Sequence, residues 1–136
     1  VTPGRVAELG REGLEGCGLS KRKIEYLADL AGHFLSGQLA PAGWAAHDDE
    51  AIIAELVAVR GIGRWTAEMF LIFNLMRPDV FPLDDIGLQR AIFLRYFNGE
   101  KQPRRAISAF GERWRPWRSV ATWYLWRSLD PVPVAY

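Results

Sequence analysis

Two short stretches of this 136-residue chain hold residues that could do chemistry. In DVFPLDDIGLQRA two carboxylates, Asp84 and Asp85, stand side by side, and in VRGIGRWTAEMF the arginines Arg60 and Arg64 flank Gly61-Ile62-Gly63. A carboxylate in a low-dielectric pocket stabilises a cation forming beside it far better than water does, and it can orient an attacking water. A tight glycine turn at the start of a helix offers amide donors and the positive end of the helix dipole to an anion such as phosphate. Each stretch also has a plain rival reading. An aspartate before a helix can simply cap it, and Gly61 can terminate one helix while Gly63 relieves crowding between two. Residue chemistry alone leaves both open. His33 and His47 are far apart with no ligand cluster nearby, and the single Cys17 cannot form an internal disulfide or hold an iron–sulfur or cysteine zinc site.

The elements that must position these residues all read as helical. Thr2-Pro3 is a capped start for a short helix to about Leu9, and REGLEGCG reads as a connector. Ser20 caps a helix in which Ile24, Leu27, Ala28, Ala31, Phe34 and Leu35 repeat at helical spacing before Gly37 closes it. QLAPAGWAAH is a loop or short turn. From Asp48 the pattern DDEAIIAELVAV predicts a helix with Ile52, Ile53, Leu56 and Val57 on one face. RGIG interrupts it, with Val57, Val59 and Ile62 as the expected apolar core of the hairpin. RWTAEMFLIFNLMR resumes with Trp65, Met69, Ile72, Phe73 and Met76 in register until Pro78. Asp84 or Asp85 caps a helix running to about Phe97, which Asn98-Gly99 ends. Two more helices, Pro103 to Trp114 and Pro116 to Leu129, precede a stop at Asp130-Pro131. No stretch alternates in the manner of a strand, and no repeat is visible. The expected architecture is an all-α multi-helix bundle with a helix–hairpin–helix motif, one domain over residues 1–136.

Composition agrees: 49% hydrophobic and 24% charged residues describe a globular chain without an apolar run long enough to span a bilayer. The first residues carry no secretory leader pattern, so a cytoplasmic protein is expected. Residues 1–59 hold 5 Lys/Arg against 9 Asp/Glu, and residues 60–136 hold 12 against 7. That asymmetry hints at a polyanion facing the second half, in which Arg104, Arg105, Arg113, Arg115 and Arg118 make the last helices basic, although a solvated surface explains it as well.

The run LVAVRGIGRWTAEMFLIFNLMRPDVFPLDDIGLQRA resembles the helix–hairpin–helix plus Gly/Pro-Asp signature of the base-excision DNA glycosylases. RWRPWRSVATWYLW is similar to the C-terminal helix of their alkylpurine branch, the bacterial 3-methyladenine DNA glycosylase II type, and TPGRVAELGREGLEGCGLSKRKIEYL resembles the stretch preceding the hairpin there. The resemblance implies that Asp85 is catalytic, with Asp84 its helix-capping neighbour. It implies that Trp65, Met69 and Trp126 contact the base, and that Arg60, Gly61, Ile62, Gly63, Arg64 and Thr66 hold the DNA backbone, the amides of Ile62 and Gly63 acting as donors. Main-chain carbonyls of Val57, Val59 and Gly61 match a monovalent-cation site of relatives. Trp65 stands where the family's lyases carry a nucleophilic lysine, so a monofunctional hydrolase is implied. The implied activity flips out alkylated purines of the 3-methyladenine and 7-methylguanine type and hydrolyses their glycosidic bond, leaving an abasic site. No cofactor is implied. The expected partner is double-stranded DNA containing damaged bases, with no membrane, for a monomer at the bacterial nucleoid. The chain departs from the pattern in having Arg60 where many relatives have proline, and in lacking a counterpart of the family's N-terminal helices with their wedge residue, so an N-terminally truncated domain is expected. A non-catalytic DNA-binding module and a glycosylase for oxidised or mismatched bases remain alternatives.

Overall fold

The computed structural model describes residues 1–130; the stop expected at Pro131 lies outside them. Every regular element among these residues is a helix. The chain divides into two compact units, one ending at Ala67 and the other beginning at Glu68.

In the first unit, Thr2 caps α1 (Pro3–Glu15) by accepting from the Arg5 amide at 3.3 Å. The helix does not stop at Leu9. It breaks at Gly10 (φ 59°, ψ −169°) and resumes, so the stretch read as a connector is largely helical. Leu14 accounts for this: it is buried with Val6 against Ile24 and Ala31, and that burial outweighs the poor helix propensity of the glycines. Ser20 and a left-handed Gly37 (φ 75°) bound α2 (Lys21–Ser36) as expected, but its buried stripe is narrow. Ile24 and Ala31 are buried, whereas Ala28, Phe34 and Leu35 are exposed. A 3-10 helix, Pro41–Ala46, buries Trp44, whose indole N–H donates to Glu55 Oε2 at 2.7 Å. Asp48 caps α3 (Asp49–Val57), which buries Ile52, Ile53 and Leu56 but leaves Val57 exposed.

Helix α4 (Arg64–Phe73) ends well before Pro78. Met76 takes a left-handed φ of 54°, and the Leu75 and Arg77 amides return to the carbonyls of Phe70 and Leu71, closing the helix end. Its buried residues are Ala67, Glu68, Leu71 and Ile72, so the buried stripe is rotated from the expected one, and Trp65, Phe73 and Met76 are exposed.

The second unit contains α5 (Ile86–Tyr96), α6 (Arg104–Gly111) and α7 (Arg118–Arg127). The expected fifth helix tightens into a 3-10 turn at Glu112–Trp114, and the last helix starts two residues later than expected and ends at Arg127. The core joins Leu88, Ala91 and Ile92 of α5 to Ile107 of α6 and Leu125 of α7. Phe81, Phe97, Phe110 and Trp114 pack around it, with Phe110 set edge-on to Trp114 at 5.3 Å. Gly111 is required where it stands, since a Cβ there would lie 2.7 Å from the Phe81 ring.

Candidate functional site

The glycine turn of the first unit is docked on α2. Gly61 has φ +91°, a region closed to L side chains without strain, and a Cβ there would lie 2.4 Å from Tyr26 Cδ2. The Arg60 amide donates to Asp29 Oδ2 at 2.7 Å, and the Arg60 guanidinium meets Glu25 at 3.2 Å. Gly61 therefore allows close approach to a surface of this protein, the Tyr26 ring. Gly63 is different: its φ is ordinary and nothing lies within 4 Å of a Cβ built on it. Of the expected apolar core of the hairpin, only Val59 is buried, with Ile62 half-buried and Val57 exposed.

The Ile62 amide donates within the turn to the Val59 carbonyl at 3.1 Å. Gly63 precedes the N-terminus of α4, where the partial positive charge of the helix dipole gathers. Arg64 donates twice to Glu50, at 2.5 and 2.9 Å, in an exposed pair. The hydrogen bond from Arg64 holds the Glu50 carboxyl below the usual carboxylate range. Thr66 is exposed on the first turn of α4, Trp65 is half exposed, and Met69 is half-buried one turn on.

In the second unit Asp85, not Asp84, is the N-cap of α5: its Oδ1 accepts from the Leu88 amide at 2.6 Å. The expected capping role of Asp84 is thus corrected. Asp84 instead forms a two-bond pair with Arg104, at 2.8 and 2.9 Å, which ties the loop to the start of α6. The half-buried Asp85 also accepts on Oδ1 from the Trp126 indole N–H at 2.8 Å. The Trp126 ring stacks on Phe73, with centroids 6.0 Å apart and planes 17° from parallel. The structure therefore brings Asp85 and Trp126 together and adds Phe73, which the sequence suggested only as core.

The loop leading to Asp85 is anchored at its start. Asp79 receives both Arg118, at 2.7 and 2.9 Å, and Arg115, at 2.9 Å. Burial opposes ionisation of Asp79, but these hydrogen bonds and charges outweigh it and hold the carboxyl below its usual range. Ser119 Oγ donates to the Arg77 carbonyl at 2.6 Å and accepts from the Val80 amide at 2.9 Å. Arg104, Arg115 and Arg118, expected as part of a basic face, are therefore engaged inside the unit, and Arg113 lies over the Phe110 ring at 3.5 Å. Sequence reasoning missed both the Asp79 anchor and the close setting of Gly87, where a Cβ would lie 3.2 Å from Asp85 Oδ1 and 3.3 Å from Trp126 Cδ1. The only sequence signal for Gly87 is a glycine in the first turn of a helix, a poor helix former where nothing local asks for one.

The family model described as HhH-GPD superfamily base excision DNA repair protein matches residues 1–116, a span that covers residues of both units. The chain belongs to this superfamily. Among curated relatives, it is 38% identical over 128 residues to YfjP of Bacillus subtilis, a candidate DNA-3-methyladenine glycosylase, covering 94% of this chain and 45% of that protein. It is 34% identical over 128 residues to DNA-3-methyladenine glycosylase 1 of Schizosaccharomyces pombe, covering 93% of this chain and 56% of that protein. Among solved structures, DNA-3-methyladenine glycosidase of Bacillus halodurans aligns with a TM-score of 0.89 at 38% identity, over 96% of this chain and 60% of that one. The S. pombe 3-methyladenine DNA glycosylase Mag1, solved in complex with abasic DNA, aligns with a TM-score of 0.78 at 34% identity, over 99% of this chain and 66% of that one. The chain spans about half the length of the curated relatives it matches, at 45% and 56% of the two just given. No helix among the described residues is long and apolar enough to cross a membrane.

Proposed function

We propose that this protein is a monofunctional DNA glycosylase of base-excision repair, acting as a monomer at the nucleoid of a bacterium. It hydrolyses the N-glycosidic bond of alkylated purines such as 3-methyladenine and 7-methylguanine. The observation that carries the proposal is the setting of Asp85 in a chain of this superfamily: a half-buried carboxylate held by two N–H donors beside a partly exposed pair of stacked aromatic rings.

The chemistry follows from charge. An N3- or N7-alkylated purine is cationic, so it leaves as a neutral base that takes the electrons of the C1′–N bond, and no strong general acid is needed. Positive charge then builds on the deoxyribose, and the Asp85 carboxylate stabilises it at short range. A water that Asp85 orients adds through oxygen to C1′ and loses its proton, leaving an abasic site. Trp65, Met69 and Trp126 are assigned to the extruded base, the aromatic faces suiting a cationic ring. Trp65 cannot form a Schiff base, which supports hydrolysis without strand cleavage.

Arg60, Gly61, Ile62, Gly63, Arg64 and Thr66 are assigned to the DNA backbone, a contact that positions the duplex without reading its sequence. Arg60 and Arg64 sit in exposed ion pairs with Glu25 and Glu50, worth little in water, and a phosphate can replace these partners. The open space over Gly63 fits the same role. For the monovalent cation the turn offers the neutral carbonyls of Val57, Val59 and Gly61. The Val59 carbonyl retains a lone pair after accepting from Ile62, a donor set suited to weak binding of a hard monovalent ion that would neutralise nearby phosphate charge.

Single-turnover incubation with a duplex carrying one 7-methylguanine tests the proposal. Free 7-methylguanine and an alkali-labile abasic site are expected from the wild type. Asp85→Asn keeps a good capping side chain and should bind the duplex normally while losing base release by at least about a hundredfold. Duplex binding without release by the wild type would identify a DNA-binding module, and normal release by the Asn variant would remove Asp85 from the chemistry.

A further inference from the structure

One oxygen of Asp85 carries two donors from two helices. The Leu88 amide of the first turn of α5 reaches Oδ1 at 2.6 Å, and the Trp126 indole N–H, from α7, reaches the same atom at 2.8 Å. The first contact is an ordinary cap. The second is specific to the indole, because it fixes the plane of the carboxylate from outside its own helix.

The surroundings are shaped for that contact. A Cβ on Gly87 would lie 3.2 Å from Asp85 Oδ1, 3.3 Å from Trp126 Cδ1 and 3.4 Å from Trp126 Nε1. Its backbone conformation is ordinary, so the chain does not need glycine there, and glycine in a helix costs about 1 kcal/mol relative to alanine. What needs the missing Cβ is the indole lying across the helix end. Phe73 supports the opposite requirement, stacking on the ring face so that the N–H edge stays aimed at Asp85.

We infer that Trp126 is the positioning residue of the Asp85 carboxylate and that Gly87 provides the space in which it does so. The inference rests on the reading of Asp85 as the catalytic group. Indole is suited to the task because it donates one hydrogen bond, accepts none and carries no charge. An arginine or lysine at the same place would cancel the negative charge needed opposite the sugar cation; an indole orients the carboxylate and leaves that charge in place. Trp126 then acts on the reaction through Asp85 in addition to any contact with the base.

Two variants separate this role from base stacking and from simple packing. Trp126→Phe keeps an aromatic ring on Phe73 and removes only the donor. Gly87→Ala keeps the indole but presses on both the indole and Oδ1, lengthening the hydrogen bond between them. Trp126→Phe should slow single-turnover release of 7-methylguanine by about tenfold to a hundredfold, the range of one hydrogen bond to a charged group, and Gly87→Ala by a smaller factor of at least about threefold. Affinity for a duplex carrying a stable abasic analogue should change by less than about twofold. In Gly87→Ala the better helix propensity of alanine and the crowding of the indole act in opposite senses, so its stability should stay within about 2 kcal/mol of wild type while its rate falls. Wild-type release rates in both variants would overturn the inference, as would a loss confined to duplex affinity.

A readout independent of turnover completes the test. The Trp126 indole 15N–1H resonance, identified by its disappearance in Trp126→Phe, should shift and exchange faster with solvent in Asp85→Ala. An unmoved resonance overturns the inference whatever the activity. No base release by the wild type overturns the proposed function instead, so the two failures are distinguishable.

Discussion

The two glycines of the hairpin should respond oppositely to the same change. Gly61→Ala forces an L side chain to φ +91° and places its Cβ 2.4 to 2.6 Å from three atoms of the Tyr26 ring. The backbone strain costs about 1–3 kcal/mol and overpacking against the ring about 1–3 more, so a loss of about 2–6 kcal/mol is expected. A domain of this size holds only about 5–15 kcal/mol in total, and each kcal/mol moves the melting temperature by roughly 3–5 °C. A fall of at least about 6 °C should therefore appear in a thermal scan. Gly63→Ala meets no atom within 4 Å and needs no unusual φ, so its stability should stay within about 1 kcal/mol of wild type and could rise by restricting the unfolded chain. Its effect should fall on DNA. A methyl group over the turn keeps a phosphate from approaching closely, and fluorescence anisotropy with an undamaged duplex at fixed salt should show affinity reduced by about tenfold. An unaltered melting temperature for Gly61→Ala would refute the docking of the turn on α2. Unaltered affinity for Gly63→Ala would refute its role as a backbone contact.

Two further outcomes follow from the site. Asp79→Asn removes the anion shared by Arg115 and Arg118 and should destabilise the protein by about 2–3 kcal/mol at neutral pH, measured by urea unfolding. Because folding lowers the pKa of Asp79 below its ordinary 3.8, the wild type keeps this contribution above that value and loses it as pH falls further, through the folded-state pKa; the Asn variant should lack that acid-dependent part. Trp65→Ala should leave melting near wild type, since the side chain is about half exposed, and should lower the preference for lesion over undamaged duplex in competition binding. Equal preference in the two proteins would assign Trp65 to packing.

What the sequence made legible was local. Ser20, Asp48 and Thr2 announce their helices because a cap needs only its own next three residues, and each accepts from an amide three positions on. Gly61-Ile62-Gly63 and the Asp pair were legible for the same reason, with the choice between Asp84 and Asp85 left to geometry. What escaped depends on partners distant in the chain. Asp79 meets Arg118 across 39 positions, and Asp85 meets Trp126 across 41. Even the reason for Gly61 lay elsewhere, in the Tyr26 ring of α2. The end of α4 escaped differently: a left-handed Met76 has no composition signal, because only glycine and asparagine advertise that conformation.

The capping and catalytic readings of Asp85 are rivals while only its position in the chain is known, but under the proposed function they are parts of one device. A cap is the one place on a helix where a carboxylate is held by the backbone of the element it precedes, with its orientation set by a rigid ladder of hydrogen bonds. That solves half of the problem an electrostatic catalyst faces, since an acid on a flexible loop must be ordered each time charge develops, whereas a preorganised one needs no reorganisation. A single amide donor still leaves the carboxylate free to rotate about its own bond. The Trp126 N–H, seated by Phe73 and admitted by Gly87, removes that freedom from a second helix. On the proposed function the cap gives the Asp85 carboxylate its fixed frame, and the loss of either donor should be felt in the rate before it is felt in the fold.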